Sequence, residues 1–246
     1  WGTAAAQWHF ALLLRLRDLV PARRVLEIAP GYGRWTHYLR ALATEQLTVV
    51  DLNDRCIAAC KERFAGDAHI RYHVNDGRSL DMVPDGTIDL VFSFDSLVHA
   101  EADVMQGYVH QIARKLTPEG VGIIHHSNMG ALDDYRARIT ALPFLVRKLL
   151  RAAGRLDTID HQWRARSMTA ARFVADADAA GLAVLSQELH NWHSAGLIDA
   201  ISVFAHRDSQ RARVHGPMRV LRNPDFMRDA THARRIAALS GPRPRG

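Results

Sequence analysis

A chain of 246 residues with 48% hydrophobic and 24% charged side chains is long enough for one large domain and has the balance of a globular protein. That composition excludes a disordered chain, a collagen-like repeat and a disulfide scaffold. The net charge of +6 is unevenly spread: ten Arg against three Asp lie from Arg207 onward, so residues 1–206 are close to neutral and no nucleic-acid groove is expected there.

In chain order, strand-length apolar runs alternate with helix-length amphipathic segments, the pattern of an α/β parallel sheet. Val25 to Ala29 reads as a first strand, followed by a helix over Arg34 to Ala43. Leu47 to Asp51 is a second strand, with a helix over Asn53 to Phe64. Ile70 to Val74 is a third strand and Ile88 to Phe94 a fourth, the latter almost wholly apolar and so central. A helix spans Glu101 to Leu116, and Thr117 to Gly120 turn the chain into a fifth strand at Val121 to His126. From Gly130 to Gly154 the pattern is helical and basic, an insertion over the carboxyl edge of the sheet. Thr169 to Ala180 form a helix stopped by Gly181. Leu182 to Leu189 and Ala200 to His206 are two late strands, and a basic, loosely packed tail is expected after Arg207. The expected division is therefore a domain over residues 1–206, with an insertion at 129–168, and a tail at 207–246.

No apolar run approaches the roughly 18 residues of a bilayer span, and no signal peptide is visible. Cys56 and Cys60 match no common zinc spacing and read as reduced core thiols, so a cytoplasmic location is expected. Chemistry concentrates at the carboxyl ends of the strands. The run Glu27-Ile-Ala-Pro-Gly-Tyr-Gly33 is a strand, a glycine turn and a helix start, where the backbone can approach a ligand closely. A dinucleotide fingerprint would place a small residue where Thr36 stands, and Glu27 would repel a pyrophosphate but suits a ligand bearing an ammonium group. Asp51 ends the second strand, where an acid can accept both hydroxyls of a ribose; Asp76 follows the third and Asp95 the fourth. Any one of these acids alone reads equally well as a helix N-cap.

This ordered set resembles the class I S-adenosylmethionine-dependent methyltransferases over roughly residues 20–206. The resemblance implies a seven-stranded, mostly parallel Rossmann-like α/β sheet whose last strand is antiparallel. It implies that Glu27, Ala29, Gly31, Gly33, Thr36 and Ser93 surround the methionine part of the cofactor, that Asp51 holds the ribose, and that Leu52, Asp76 and Gly77 meet the adenine. Ala29-Pro30 departs from the family, which has a glycine at position 29.

No Asn/Asp-Pro-Pro-aromatic sequence follows the fourth strand, which counts against exocyclic amines of nucleic acid as acceptors. Asp95, His99, His125 and His126 instead suggest removal of a hydroxyl proton. His126 is the expected base, with Asp95 and His99 orienting it or binding the acceptor. Alternation places His125 and His126 on opposite faces, so one of them points into the cleft. Asp95, His99, His126 and Glu188 are also a candidate ligand set for Mg2+ or Mn2+. Helix caps and half-buried histidines are the plain alternative for the cluster. Several tracts resemble bacterial methyltransferases acting on sugars, which implies an oligosaccharide or other small acceptor touched by His125, Asn128, Trp163, Arg164, Glu188 and Trp192. Methylation of a small amine or phenol, and a non-catalytic binding module, are the competing functions. The basic amphipathic stretch Ala141 to Arg151 is a lid, a homodimer contact or a membrane-surface helix, or simply a helix with a solvated basic face; stable membrane insertion is not expected.

Overall fold

A computed structural model describes residues 3–153, 163–192 and 196–240. Eight strands form one sheet: β1 (Ala22–Ile28), β2 (Ala43–Asp51), β3 (Ile70–Val74), β4 (Ile88–Ser93), β5 (Leu116–Ser127), β6 (Leu182–His190), β7 (Asp199–His206) and β8 (Arg219–Asn223). Their order is β3-β2-β1-β4-β5-β7-β6-β8. The first five are mutually parallel, β7 runs antiparallel to β5 and β6, and β8 is parallel to β6. The order reverses between β1 and β4, so a crevice opens at their carboxyl ends, the switch point where open α/β sheets bind ligands.

Alternation along the strands feeds two cores. One face of the sheet carries Val25, Val49, Leu90, Phe92 and Ile123. It is covered by an N-terminal helical segment, α1 (Ala4–Gln7), a π-helical turn at Trp8–Leu12 and α2 (Leu13–Leu16), together with α3 (Thr36–Leu39) and α4 (Asp54–Arg63). The other face carries Leu26, Ile28, Val91, Ile124 and Phe204 under α5 (Ala102–Lys115) and α8 (Ala170–Ala179). Local signals set several boundaries. The Asn53 side chain accepts from Arg55 N at the start of α4, and Thr169 does the same for Arg172 N at the start of α8. Gly181 then turns the chain at a φ of 81°.

Three expectations need correction. The sheet has eight strands rather than seven. The described residues after Arg207, up to Ser240, are not loosely packed: α9 (Gln210–His215), β8 and α10 (Phe226–Ser240) follow, β8 pairs with β6, and Phe226 and Met227 are buried in the first core, while 241–246 lie outside the described residues. Thr117 to Gly120 do not precede β5 but bulge within it, because Leu116 already pairs with Ile88. The insertion is helical as expected, with α6 (Asp133–Thr140) and α7 (Phe144–Ala152), and no residue of either helix is buried. Among the described residues no helix is long and apolar enough to cross a membrane.

Candidate active site

The glycine turn between β1 and α3 is held from below by α4. Cys60 Sγ donates to Gly31 O at 3.3 Å, an Arg63 guanidinium N–H donates to Tyr32 O at 2.9 Å, and Phe64 packs where a Gly33 side chain would stand. A Cβ on Gly33 would lie 2.6 Å from Phe64 Cε2, and the residue's φ is 76°, so glycine is required twice over. Ala29, at the family's glycine position, also adopts a positive φ of 58°. Its N–H donates to Val50 O at 2.7 Å and its carbonyl accepts from Ser96 Oγ at 2.9 Å, which fixes a conformation that alanine rarely takes.

Two cavities flank this turn and share Ala29 and Ser96 as lining, so together they make one trough across the switch point. The first, about 380 Å³, has mainly apolar walls that include Ile28, Leu52, Leu97 and Tyr108, with Asp51, Asn75 and Gly77 among its polar lining. Asp51 Oδ2 accepts from Gly31 N at 3.0 Å and Oδ1 from Asn53 N at 2.9 Å, which fixes the carboxylate at the cavity wall. Leu52 is 67% exposed there, and Gly77, at a φ of 78°, lies against it. An apolar slot with an acid in its wall has the chemistry to hold a nucleoside.

The second cavity, about 430 Å³, is more polar and is lined by Tyr32, Arg34, Trp35, His37, Tyr38 and Asp95, among others. Trp8 stacks on Tyr38 at 4.8 Å, so the N-terminal helical segment walls this side, with Ala4 in its lining. Asp95 is the second non-glycine residue at positive φ, 62°, and its N–H donates to His125 Nδ1 at 3.1 Å. Its carboxylate, 24% exposed, stands between Arg34 at 3.8 Å and Arg164 at 4.0 Å. Strained backbone of this kind concentrates at functional sites.

Behind Asp95 lies a buried network. Arg164 forks onto both oxygens of Asp199 at 2.8 and 2.9 Å and lies over the Trp192 ring. Asp199 is held well below the usual carboxylate range: His125 and Arg164 outweigh the opposing, and larger, effect of burial. His125, His190 and Asp199 converge to within 4.8 Å. The existing partners argue against a cation there, because Arg164 already holds both Asp199 oxygens. Because His125 Nδ1 accepts from Asp95, its Nε2 carries the proton, and it faces Asp199 Oδ2 at 3.5 Å. Burial lowers the His190 pKa to about 3.

The expected base is elsewhere. His126 lies on the opposite face, fully buried and stacked on Phe173 at 4.4 Å, with Nδ1 on Ser127 O at 2.9 Å and Nε2 on Ser202 Oγ at 2.8 Å. Burial lowers its pKa to about 4. His99 is exposed and lines the apolar cavity, whereas Asp95 lines the polar one. Glu188 is tied to Arg15 at 2.6 Å and Asn223 at 2.8 Å. The set Asp95, His99, His126 and Glu188 is therefore not brought together, and a divalent ion on it has no geometric support.

Other expected residues serve the scaffold. Glu27 is buried and accepts from Thr36 Oγ1 at 2.6 Å, fastening the start of α3 to β1; burial raises its pKa to about 8. It lines neither cavity. Asp76 Oδ1 caps its own loop through Arg78 N and Ser79 N, at 2.8 and 2.7 Å, and it too lies outside the cavity lining. Ser93 is buried outside both cavities, whereas Ser96 lines both. Asn128 bridges Leu197 O and Ala170 N. Trp163 is 86% exposed and Trp192 is packed on Phe226. Residues 25–120, from β1 to the bulge of β5, match the methyltransferase-domain family.

The described residues thus have the Rossmann-like α/β fold of a methyltransferase domain. Among solved structures it is similar to the PH0226 protein of Pyrococcus horikoshii, with a TM-score of 0.57, 18% identity, and coverage of 82% of this chain and 90% of that one. It is also similar to the CcbJ methyltransferase of Streptomyces caelestis, with a TM-score of 0.57, 15% identity, and coverage of 84% and 99%. Among curated proteins, 111 residues are 32% identical to the squalestatin hexaketide synthase of a Phoma species. That match covers 41% of this chain and 4% of the synthase, so the chain spans only a small part of that relative.

Proposed function

We propose that the chain methylates a hydroxyl of a small, polyhydroxylated acceptor of the sugar class, with Asp95 as the group that orients the hydroxyl and takes its proton. S-adenosylmethionine, when bound, supplies an electrophilic methyl group on a sulfonium. Asp51, Leu52 and Gly77 would hold its nucleoside and the turn at Gly31 its methionine part. The acceptor belongs in the polar cavity, where Tyr32, Trp35 and Tyr38 offer ring faces and Arg34, His37 and Asp95 offer hydrogen bonds. As the O–C bond forms and the C–S bond breaks, the hydroxyl proton passes to an Asp95 carboxylate oxygen and S-adenosylhomocysteine leaves.

The observation carrying this reading is Asp95 between two guanidiniums. Arg34, Arg63 and Arg164 outnumber the two carboxylates, Asp95 and Asp199, so this end of the trough is net positive by one. That disfavours a protonated amine and suits a neutral hydroxyl. Transfer of labelled methyl to a panel of saccharides, phenols and amines tests it. Asp95→Asn is expected to lower kcat by about 10²–10⁴-fold, the range of a lost proton acceptor, with S-adenosylhomocysteine affinity within a few-fold of the parent. Asp51→Ala is expected to weaken that affinity. Turnover only on amines, or an Asp95→Asn variant of undiminished kcat, counts against the reading.

A further inference from the structure

Helix α7 is the part of the molecule that the methyl-transfer reading leaves unused. Its sequence, Phe144-Leu-Val-Arg-Lys-Leu-Leu-Arg-Ala152, holds three cations and no acid. At about 100° per residue, Leu145, Val146, Leu149 and Leu150 fill one arc. Lys148 and Arg147 flank the two borders of that arc, and Arg151 lies opposite. A helix packed on the sheet would bury the leucines. Instead Leu145 is 70% and Leu149 71% exposed, and nothing in α6 or α7 is buried.

We propose that α7 docks in the plane of an anionic lipid surface, leucines among the acyl chains and the exposed Lys148 reaching the headgroups. Charge complementarity selects this occupant. An apolar arc bordered by the exposed Lys148, with Arg147 half-buried at its other border and no acid on the helix, matches a negatively charged interface. The groove of a partner protein would need acids placed for only a few of these cations. Nine residues are too few to span a bilayer, and the helix lies on it rather than in it. The insertion leaves β5 at the carboxyl edge that carries the trough, so docking would turn that edge toward the headgroups. The inference does not depend on methyl transfer.

The test is co-sedimentation of the full chain with phosphatidylcholine vesicles, and with the same vesicles containing phosphatidylglycerol, at two salt concentrations. Binding is expected only to the anionic vesicles and to weaken with salt. Leu145→Ser with Leu149→Ser should reduce it by about tenfold or more, and Lys148→Gln by about fivefold. All three positions are exposed, and an unchanged melting temperature checks that each variant folds. No binding to anionic vesicles, or equal binding to neutral ones, would overturn the proposal. So would binding that survives both leucine substitutions, because it would then reside in the Arg-rich C-terminal residues.

Discussion

Glu27 and His126 are both buried titratable groups that the sequence marked for direct chemistry, and both hold the scaffold instead. Burial raises Glu27 to about 8 from an ordinary 4.5, so between those values the folded protein keeps a proton that the unfolded chain has lost. Stability from this residue is therefore present at low pH and falls as the pH rises through that window. Glu27→Gln keeps an acceptor for Thr36 Oγ1 without the charge. Relative to the parent it should gain stability on the order of 3 kcal/mol between pH 5 and pH 8, read by denaturant unfolding at each pH. A difference that stays flat with pH would mean that the carboxylate is charged in the fold. His126 has the opposite sign: lowered to about 4 from 6.5, it stabilises the fold above pH 6.5 and loses that contribution as the pH falls toward 4. Its place on the far face gives a second expectation. His126→Gln should keep kcat within about threefold while costing about 1–3 kcal/mol through the altered bond to Ser202. A loss near the 10²–10⁴-fold of a general base would restore it to the chemistry.

At the level of elements, the glycine turn works because α4 supports it from beneath. Gly33→Ala adds a methyl 2.6 Å from Phe64 Cε2 and 3.2 Å from Cys60 Sγ, at a φ that alanine resists. The combined overpacking and backbone strain should cost about 2–4 kcal/mol. Adding Phe64→Ala relieves the clash alone, so a double-mutant cycle read by denaturant unfolding should return a favourable coupling of about 1–2 kcal/mol. Additive effects would show that α4 does not brace the turn. The same elements show what could be read in advance. Ile70–Val74 and α4 carry local signals, an apolar run between turns and an Asn cap, and their sequence reading matches the structure. Gly31, Asp51, Leu52, Gly77 and Asp95, each marked in the sequence, do line the trough, because strand ends at a switch point converge. Phase was not. Alternation says that His125 and His126 diverge, but which one meets Asp95 is fixed by His126 opposite Ala200 and His125 opposite Ile201, pairings some 75 residues away. Ser96 rather than Ser93 lines the trough because the chain turns at Asp95 through a left-handed conformation that an aspartate does not announce.

On the scale of the whole molecule, the C-terminal residues close the fold. Nothing local marks β8 as a strand: Arg219 to Asn223 is short, exposed and rich in Arg, and it is ordered by its pairing with β6. Through it Asn223 reaches Glu188, which also holds Arg15 of α2. Phe226 then stacks on His190 at 4.1 Å and lies near Trp192 at 6.1 Å, beneath the Arg15 guanidinium. Trp192 in turn carries Arg164, which braces Asp199 and stands beside Asp95. A continuous line of packing thus runs from α10 to the Asp95 side of the trough, and α10 also lies against α1, whose Ala4 lines that cavity. Phe226→Ala should cost about 3–5 kcal/mol by opening this stack. For a chain of this size that is a fall of roughly 10 °C or more in Tm, measured by calorimetry. Ending the chain at Gly216 should lower Tm at least as far. Because Asp51 and the glycine turn lie on the other side of the sheet order, S-adenosylhomocysteine affinity of the folded Phe226→Ala protein should change less than acceptor turnover. A truncated chain that melts like the parent and turns over at the parent's rate would show that the tail is an accessory and that the trough is complete without it.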